Sequence, residues 1–176
     1  MSGAGSVSGR LGGSVSGAVG GGVPGIDLFD CAGMRVVVVA SCWHPGLMES
    51  LIASAERTCK QYSVEAHVIR VPGTFELPVV ALHAARSGAD AVVALGVVVR
   101  GGTPHFEYVC RAATDGLTRV ALDTGVAVGF GVLTCDTEAQ ALDRVGGPDS
   151  TEDKGQEATE AALATALILR NSGSLP

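Results

Sequence analysis

Four largely apolar stretches recur along the chain: "MRVVVVAS" (34–41), "EAHVIRV" (65–71), "ADAVVALGVVV" (89–99) and "VAVGFGVLT" (126–134). Most run without strict alternation and are rich in β-branched residues, the pattern of strands covered on both faces. Between them the period changes. Leu47, Met48, Leu51, Ile52, Ala55 and Cys59 fall on one face of a helix. "TFELPVVALHAARSG" (74–88) predicts a second helix starting near Thr74, and a third follows the 89–99 strand through about Thr118. Thr137-Glu138-Ala139-Gln140 is a capping-box pattern opening a short helix that Gly146-Gly147 ends. A last helix is predicted over roughly 152–171. Strands alternating with helices imply right-handed crossovers, so the expected fold is a three-layer α/β/α sandwich around a four-stranded, mainly parallel sheet.

Two segments stand outside this alternation. "AALATALILR" (161–170) is apolar almost all the way round. A helix with two buried sides in a small domain predicts a subunit interface, against the alternative of an Ala-rich helix with merely high propensity. Residues 1–25 are Gly/Ser-rich, and a flexible tail ahead of a domain over 26–176 is expected there. With one arginine and no sustained apolar core the tail is a poor secretory signal, and its glycine content fits a transit peptide badly. Its Gly20-x-Gly22-x-x-Gly25 has no strand before it and no helix after it, so it reads as compositional chance.

Composition narrows the classes. A length of 176 residues with 47% hydrophobic residues suits one domain with a single core. A net charge of −6 and no Lys/Arg stripe argue against nucleic acid as a partner, and no apolar run is long enough for a membrane helix. Cys31, Cys42, Cys59, Cys110 and Cys135 are odd in number and form no C-x-x-C pair, so no metal site is expected. Buried, reduced thiols in a cytoplasmic protein are the economical reading.

In an open parallel sheet, ligands bind outside the carboxyl ends of the strands. Four junctions qualify: Ser41–Gly46, Val71–Glu76, Val99–His105 and Leu133–Thr137. In the third, Gly101 and Gly102 allow close backbone approach, Thr103 is a candidate cap, and Pro104 fits a first helical turn. Such a helix start is receptive to phosphate, or else it is only a tight strand-to-helix turn. His105 on that turn can exchange protons near neutral pH, and the helix's positive end favours its neutral form. Trp43, the single tryptophan, is placed either to pack or to stack on a planar ligand. Glu76 can cap its helix or accept from ligand hydroxyls, and Arg144 and Lys154, flanking the Gly146–Pro148 break, read as ordinary surface charges. His44, His67 and His83 lack partners in the sequence and read as structural.

The blocks "VPGTFELPVVA" (71–81), "VVALGVVVRGGTPHFEYVC" (92–110), "GLTRVALDTG" (116–125), "GFGVLTCDTEAQALDR" (129–144) and "EDKGQEA" (152–158) together resemble the lumazine synthase family, in its actinobacterial branch. The resemblance implies a flavodoxin-like fold. It also implies condensation of 5-amino-6-(D-ribitylamino)uracil with 3,4-dihydroxy-2-butanone 4-phosphate to 6,7-dimethyl-8-ribityllumazine in riboflavin biosynthesis, with no cofactor and no metal. Homopentamers, free or built into icosahedral shells, are implied, with riboflavin synthase as a candidate partner. Trp43 matches the aromatic stacked on the pyrimidine; Thr74, Phe75 and Glu76 match the ribityl-binding segment. Val98 and Val99 match the residues whose backbone reads the uracil edge. Gly102 and Thr103 match the phosphate turn, His105 the proton shuttle, and Lys154 a pyrimidine contact. Phe130 and Arg144 match residues donated by the adjacent subunit. Thr74 departs from a usual alanine or serine and Gly102 from a residue with a side chain, changes expected to touch affinity and turn rigidity.

The rival readings are a non-catalytic flavin or phosphate-ligand binder, a shell protein without activity, and an archaeal-type riboflavin synthase. A flavodoxin would carry a Ser/Thr/Gly-rich phosphate loop after the first strand, where this chain has "SCWHPG".

Overall fold

The computed structural model describes residues 28–173, so the Gly/Ser tail and its glycine motif lie outside the described residues. A short 3-10 turn, Leu28–Cys31, leads into β1 (Arg35–Ser41), α1 (Pro45–Gln61) and β2 (Glu65–Val71). A second 3-10 turn, Thr74–Glu76, precedes α2 (Leu77–Arg86) and β3 (Ala91–Val99). The chain continues through α3 (His105–Thr124), β4 (Ala127–Cys135), α4 (Glu138–Leu142) and α5 (Lys154–Ser172).

The four strands pair in the order β2-β1-β3-β4, every pair parallel. Val92, Val93, Ala94 and Leu95 of central β3 are 0% exposed, which is why that run carries no polar alternation. Each of the valine and leucine side chains contributes about 1.5–3 kcal/mol by leaving water. Helices α1 and α5 cover one face of the sheet and α2 and α3 the other, giving the expected three-layer, flavodoxin-like sandwich with a core on each side.

Several boundaries differ from expectation, each with a local cause. The helix expected from Thr74 begins as a 3-10 turn and becomes regular only at Leu77, with Pro78 in its first turn. Helix α3 runs six residues past Thr118, because Leu117 and Val120 continue its buried stripe; it stops at Gly125, whose left-handed φ of 69° ends the helix. Thr103 does not cap α3: Pro104 occupies that position, with no side-chain cap. Thr137 does cap α4, accepting from Gln140 N–H at 3.3 Å, while the Gln140 carboxamide reaches back to Asp136 N–H at 2.8 Å.

The apolar girth of α5 also has a cause within the subunit. Its inner residues are wedged between α1, β3 and β4, leaving Ile168 and Leu169 as the large apolar side chains exposed near its end. Burial by its own subunit, rather than an interface, therefore explains most of the pattern. The thiols divide as well. Cys31, Cys59 and Cys135 are buried, and desolvation pushes the Cys59 thiol up to about 11; Cys110 is half-buried, and Cys42, expected inside, is exposed.

Candidate functional site

The carboxyl ends of β1 and β3 open into a cleft of about 670 Å³ lined by Trp43, His44, Gly73, Thr74, Phe75, Glu76, Val97, Val98, Val99, His105 and Val109. The end of β3 delivers Val97 to Val99, the turn after β2 delivers Thr74 to Glu76, and the start of α3 delivers His105 and Val109. Trp43 is 69% exposed, too open to serve as core. The next residue, His44, takes a left-handed conformation (φ 55°, ψ 61°) at the start of α1, where the chain turns after β1.

Gly73 sets the closeness of two of these groups. A Cβ there would stand 3.0 Å from Glu76 Oε2 and 3.4 Å from the Trp43 ring, so the missing side chain leaves room for both. Thr74 is 5% exposed and leans on β3, where a Cβ on Gly96 would meet its Oγ1 at 2.8 Å. Among the described residues, the side chains of Trp43, Glu76 and His105 make no hydrogen bond or ion pair. A half-buried carboxylate with its acceptors unspent beside an exposed indole suits a polyhydroxylated, planar ligand.

Gly102 and Thr103 lie exposed beyond this cleft, on the turn that leads to His105. The remaining expected residues gather elsewhere. Phe130, Arg144 and Lys154 line a second cleft of about 360 Å³ along the edge strand β4, together with Gln140. The two clefts have no lining residue in common. Lys154 thus sits with Phe130 and Arg144, away from the tryptophan. Its N–H donates to the Arg144 carbonyl at 3.0 Å, which sets the two cations side by side.

Anchoring of that pair is local. Asp153 caps α5 through Gln156 N–H at 3.0 Å, and accepts the Ser54 hydroxyl from α1 at 2.5 Å. Glu152 bridges the cations, 3.2 Å from Arg144 Nη2 and 2.5 Å from Lys154 Nζ, while Glu157 takes a second contact from Lys154 at 2.8 Å. Hydrogen bonding to Glu152 and then Glu157 raises the Lys154 ammonium above its ordinary range, and Lys154 holds the Glu152 carboxyl below its own. Lys154 is therefore charged at neutral pH, and both cations are partly occupied by carboxylates.

Sequence reasoning passed over His44, Gly73, Val97 and Val109 as cleft residues. His44 and Gly73 sat in the quoted junctions, but their roles depend on a backbone angle and a distance that no residue pattern prints. Among the described residues, no group of three or more His, Cys, Asp or Glu side chains is arranged to hold a metal. No described helix is long and apolar enough to cross a membrane.

The family profile described as 6,7-dimethyl-8-ribityllumazine synthase matches residues 33–170. A 6,7-dimethyl-8-ribityllumazine synthase from Leifsonia xyli is 64% identical over 141 residues, covering 80% of this chain and 89% of the relative. The enzyme of the same name from a Nocardioides species is 60% identical over 146 residues, covering 82% and 91%. That from Streptomyces avermitilis is 56% identical over 149 residues, covering 84% and 92%. With the profile spanning most of the chain and such identities along its length, the chain belongs to the 6,7-dimethyl-8-ribityllumazine synthase family.

Proposed function

We propose that this protein condenses 5-amino-6-(D-ribitylamino)uracil with 3,4-dihydroxy-2-butanone 4-phosphate, releasing phosphate and water and forming 6,7-dimethyl-8-ribityllumazine. The observation that carries the reading is the Trp43–Gly73–Glu76 arrangement: an exposed indole and an unspent carboxylate, both packed against one glycine, at the mouth of a parallel sheet. Trp43 stacks on the pyrimidine, and Glu76 accepts from the ribityl hydroxyls in the segment that includes Thr74 and Phe75. The backbone of Val98 and Val99 reads the uracil edge. The Gly102–Thr103 turn receives the phosphate, and His105 moves protons during imine formation and phosphate loss. No cofactor or metal enters this chemistry.

Phe130, Arg144 and Lys154 complete the site from a neighbouring subunit of a homopentamer, free or built into an icosahedral shell. The separation of the two clefts within one chain supports this division. Most of the rate then comes from placement. Holding two reactants in register can lower a barrier by about 7–11 kcal/mol, whereas one positioned proton carrier adds about 10²–10⁴-fold. We place the protein in the cytoplasm, with riboflavin synthase as the enzyme that consumes its product.

The direct test mixes protein with both substrates and follows the absorbance and green fluorescence of the lumazine. Binding without product would leave a ligand carrier instead of an enzyme. Mixing Trp43→Ala and Arg144→Ala subunits under exchange conditions then tests the shared site. Activity above that of either variant alone, measured at a limiting concentration of the phosphorylated ketone, supports it, and no gain after demonstrated exchange refutes it.

A further inference from the structure

The residue between β3 and the Gly101–Pro104 turn makes more connections than a strand end requires. Arg100 N–H donates to the Cys135 carbonyl at 2.9 Å, tying it to the end of β4. Its Nε donates to Asp136 at 2.7 Å, its Nη1 donates to Glu107 in the first turn of α3, and its guanidinium lies 4.1 Å from the centre of the Phe106 ring. One side chain thus links three segments that converge on the turn.

The turn has little else to hold it. Residues 101–105 are all exposed. A Cβ on Gly101 or Gly102 would meet nothing within 4 Å. Outside regular elements, its backbone contributes only the Pro104 carbonyl, which accepts from Glu107 N–H at 3.1 Å. Its course is therefore set by its flanks, and Arg100 grips both. Charge matters too. Glu107 and Asp136 are carboxylates close to a turn that is to receive an anion, and Arg100 pairs with both and offsets half of their charge. Hydrogen bonding to Arg100 holds the Glu107 carboxyl below its usual range.

We infer that Arg100 is a positioning residue for the phosphorylated substrate: it fixes the Gly101–Pro104 turn and His105 from both flanks and offsets one of the two carboxylate charges that would repel the phosphate. The inference rests on the reading of that turn as the phosphate site. The plainer alternative is a solvated surface ion pair, which contributes little to stability and nothing to catalysis. The two differ in what they predict for substrate binding.

The test compares the wild type with Arg100→Met, Arg100→Lys and the double variant Arg100→Met/Glu107→Gln. Steady-state kinetics for each substrate, inhibition by inorganic phosphate and thermal unfolding are measured for each. Arg100→Met is expected to raise KM for the phosphorylated ketone and the inhibition constant of phosphate by roughly tenfold, with KM for the ribitylaminouracil nearly unchanged. Lysine restores only part, since it keeps a charge but lacks the planar fork that bridges two carboxylates and stacks on Phe106. The double variant also recovers part, because one uncompensated carboxylate is gone.

Unchanged phosphate inhibition and KM in folded Arg100→Met overturn the inference, as does full rescue by lysine. So do equal increases in KM for both substrates. If Arg100→Met does not fold, the lysine variant decides: wild-type phosphate inhibition there is equally fatal. Failure of phosphate to compete with the phosphorylated ketone in the wild type would instead sink the underlying site reading.

Discussion

Gly129→Ala is the substitution that most directly couples the packing of this fold to its candidate site. Gly129 pairs with Val93 in the sheet and faces α5. A Cβ built there would lie 2.1 Å from the Ala158 carbonyl oxygen and 3.1 Å from the Ala162 Cβ. Reaching even the 3.0 Å limit of real contacts requires a retreat of about 0.9 Å from that 2.1 Å separation, and the opposing atom is backbone, which cannot rotate aside. Nor can α5 retreat freely. On its other side a Cβ on Gly155 would already meet the Leu51 carbonyl of α1 at 2.6 Å. Overpacking of this kind costs about 1–3 kcal/mol, and a backbone-on-backbone clash belongs at the upper end. For a domain of this size that is a fall in Tm of roughly 4–12 °C. The displaced turn begins one helical turn after Lys154, so KM for the phosphorylated substrate should rise as well. Calorimetry of Gly129→Ala measures the first effect, with Gly101→Ala, whose Cβ meets nothing within 4 Å, as the control. A Tm within about 1 °C of wild type would show that α5 is seated more loosely than these distances require.

Three further outcomes are expected. His105→Ala slows turnover by about 10²–10⁴-fold without abolishing it, since placement of two substrates survives; a folded assembly with no measurable rate would contradict that balance. Arg144→Ala raises KM for the phosphorylated ketone and spares that for the uracil, and the reverse pattern in initial-rate kinetics would reject the assignment. Glu152→Gln frees Arg144 and Lys154 from a competing carboxylate, so inorganic phosphate should inhibit roughly two- to fivefold more strongly at fixed ionic strength. Weaker inhibition would mean that Glu152 orients the arginine for phosphate. Because the Glu152 carboxyl is held low in the folded protein, its stabilisation is present above the unfolded carboxyl range and is lost as pH falls through the acid range. The glutamine variant should lack that acid-side loss.

The strands were legible because burial on both faces leaves a signature that propensity alone does not: runs such as Val92 to Leu95 have no solvent side on which to place a polar residue. Helix α3 was read short for the complementary reason. Only Ala113, Leu117 and Val120 are buried along its 20 residues, so its apolar stripe is thin and its end is marked mainly by the backbone of Gly125. For α5 the sequence displayed the apolar surface but not what covers it. Close seating on Gly129 and Gly155 is a property of two distant backbones, invisible to any periodicity.

The site divides along the same line. Residues just beyond the strand ends, such as Trp43, Glu76 and His105, could be expected at one cleft because a parallel sheet sends all its carboxyl ends to one side. Arg100's link to Asp136 could not: the two lie 36 residues apart, and only the pairing of β3 with β4 makes them neighbours. The same topology separates charge from stacking. The cleft around Trp43 has no arginine or lysine in its lining, while that along β4 holds Arg144 and Lys154 beside an exposed phenylalanine. A phosphorylated ketone needs a cation for its phosphate and the pyrimidine's amine for its carbonyl at the same moment, and neither cleft supplies both. On the reading proposed here, apposition of unlike clefts from two subunits meets that need. Catalysis should then depend on assembly as strictly as on any single side chain.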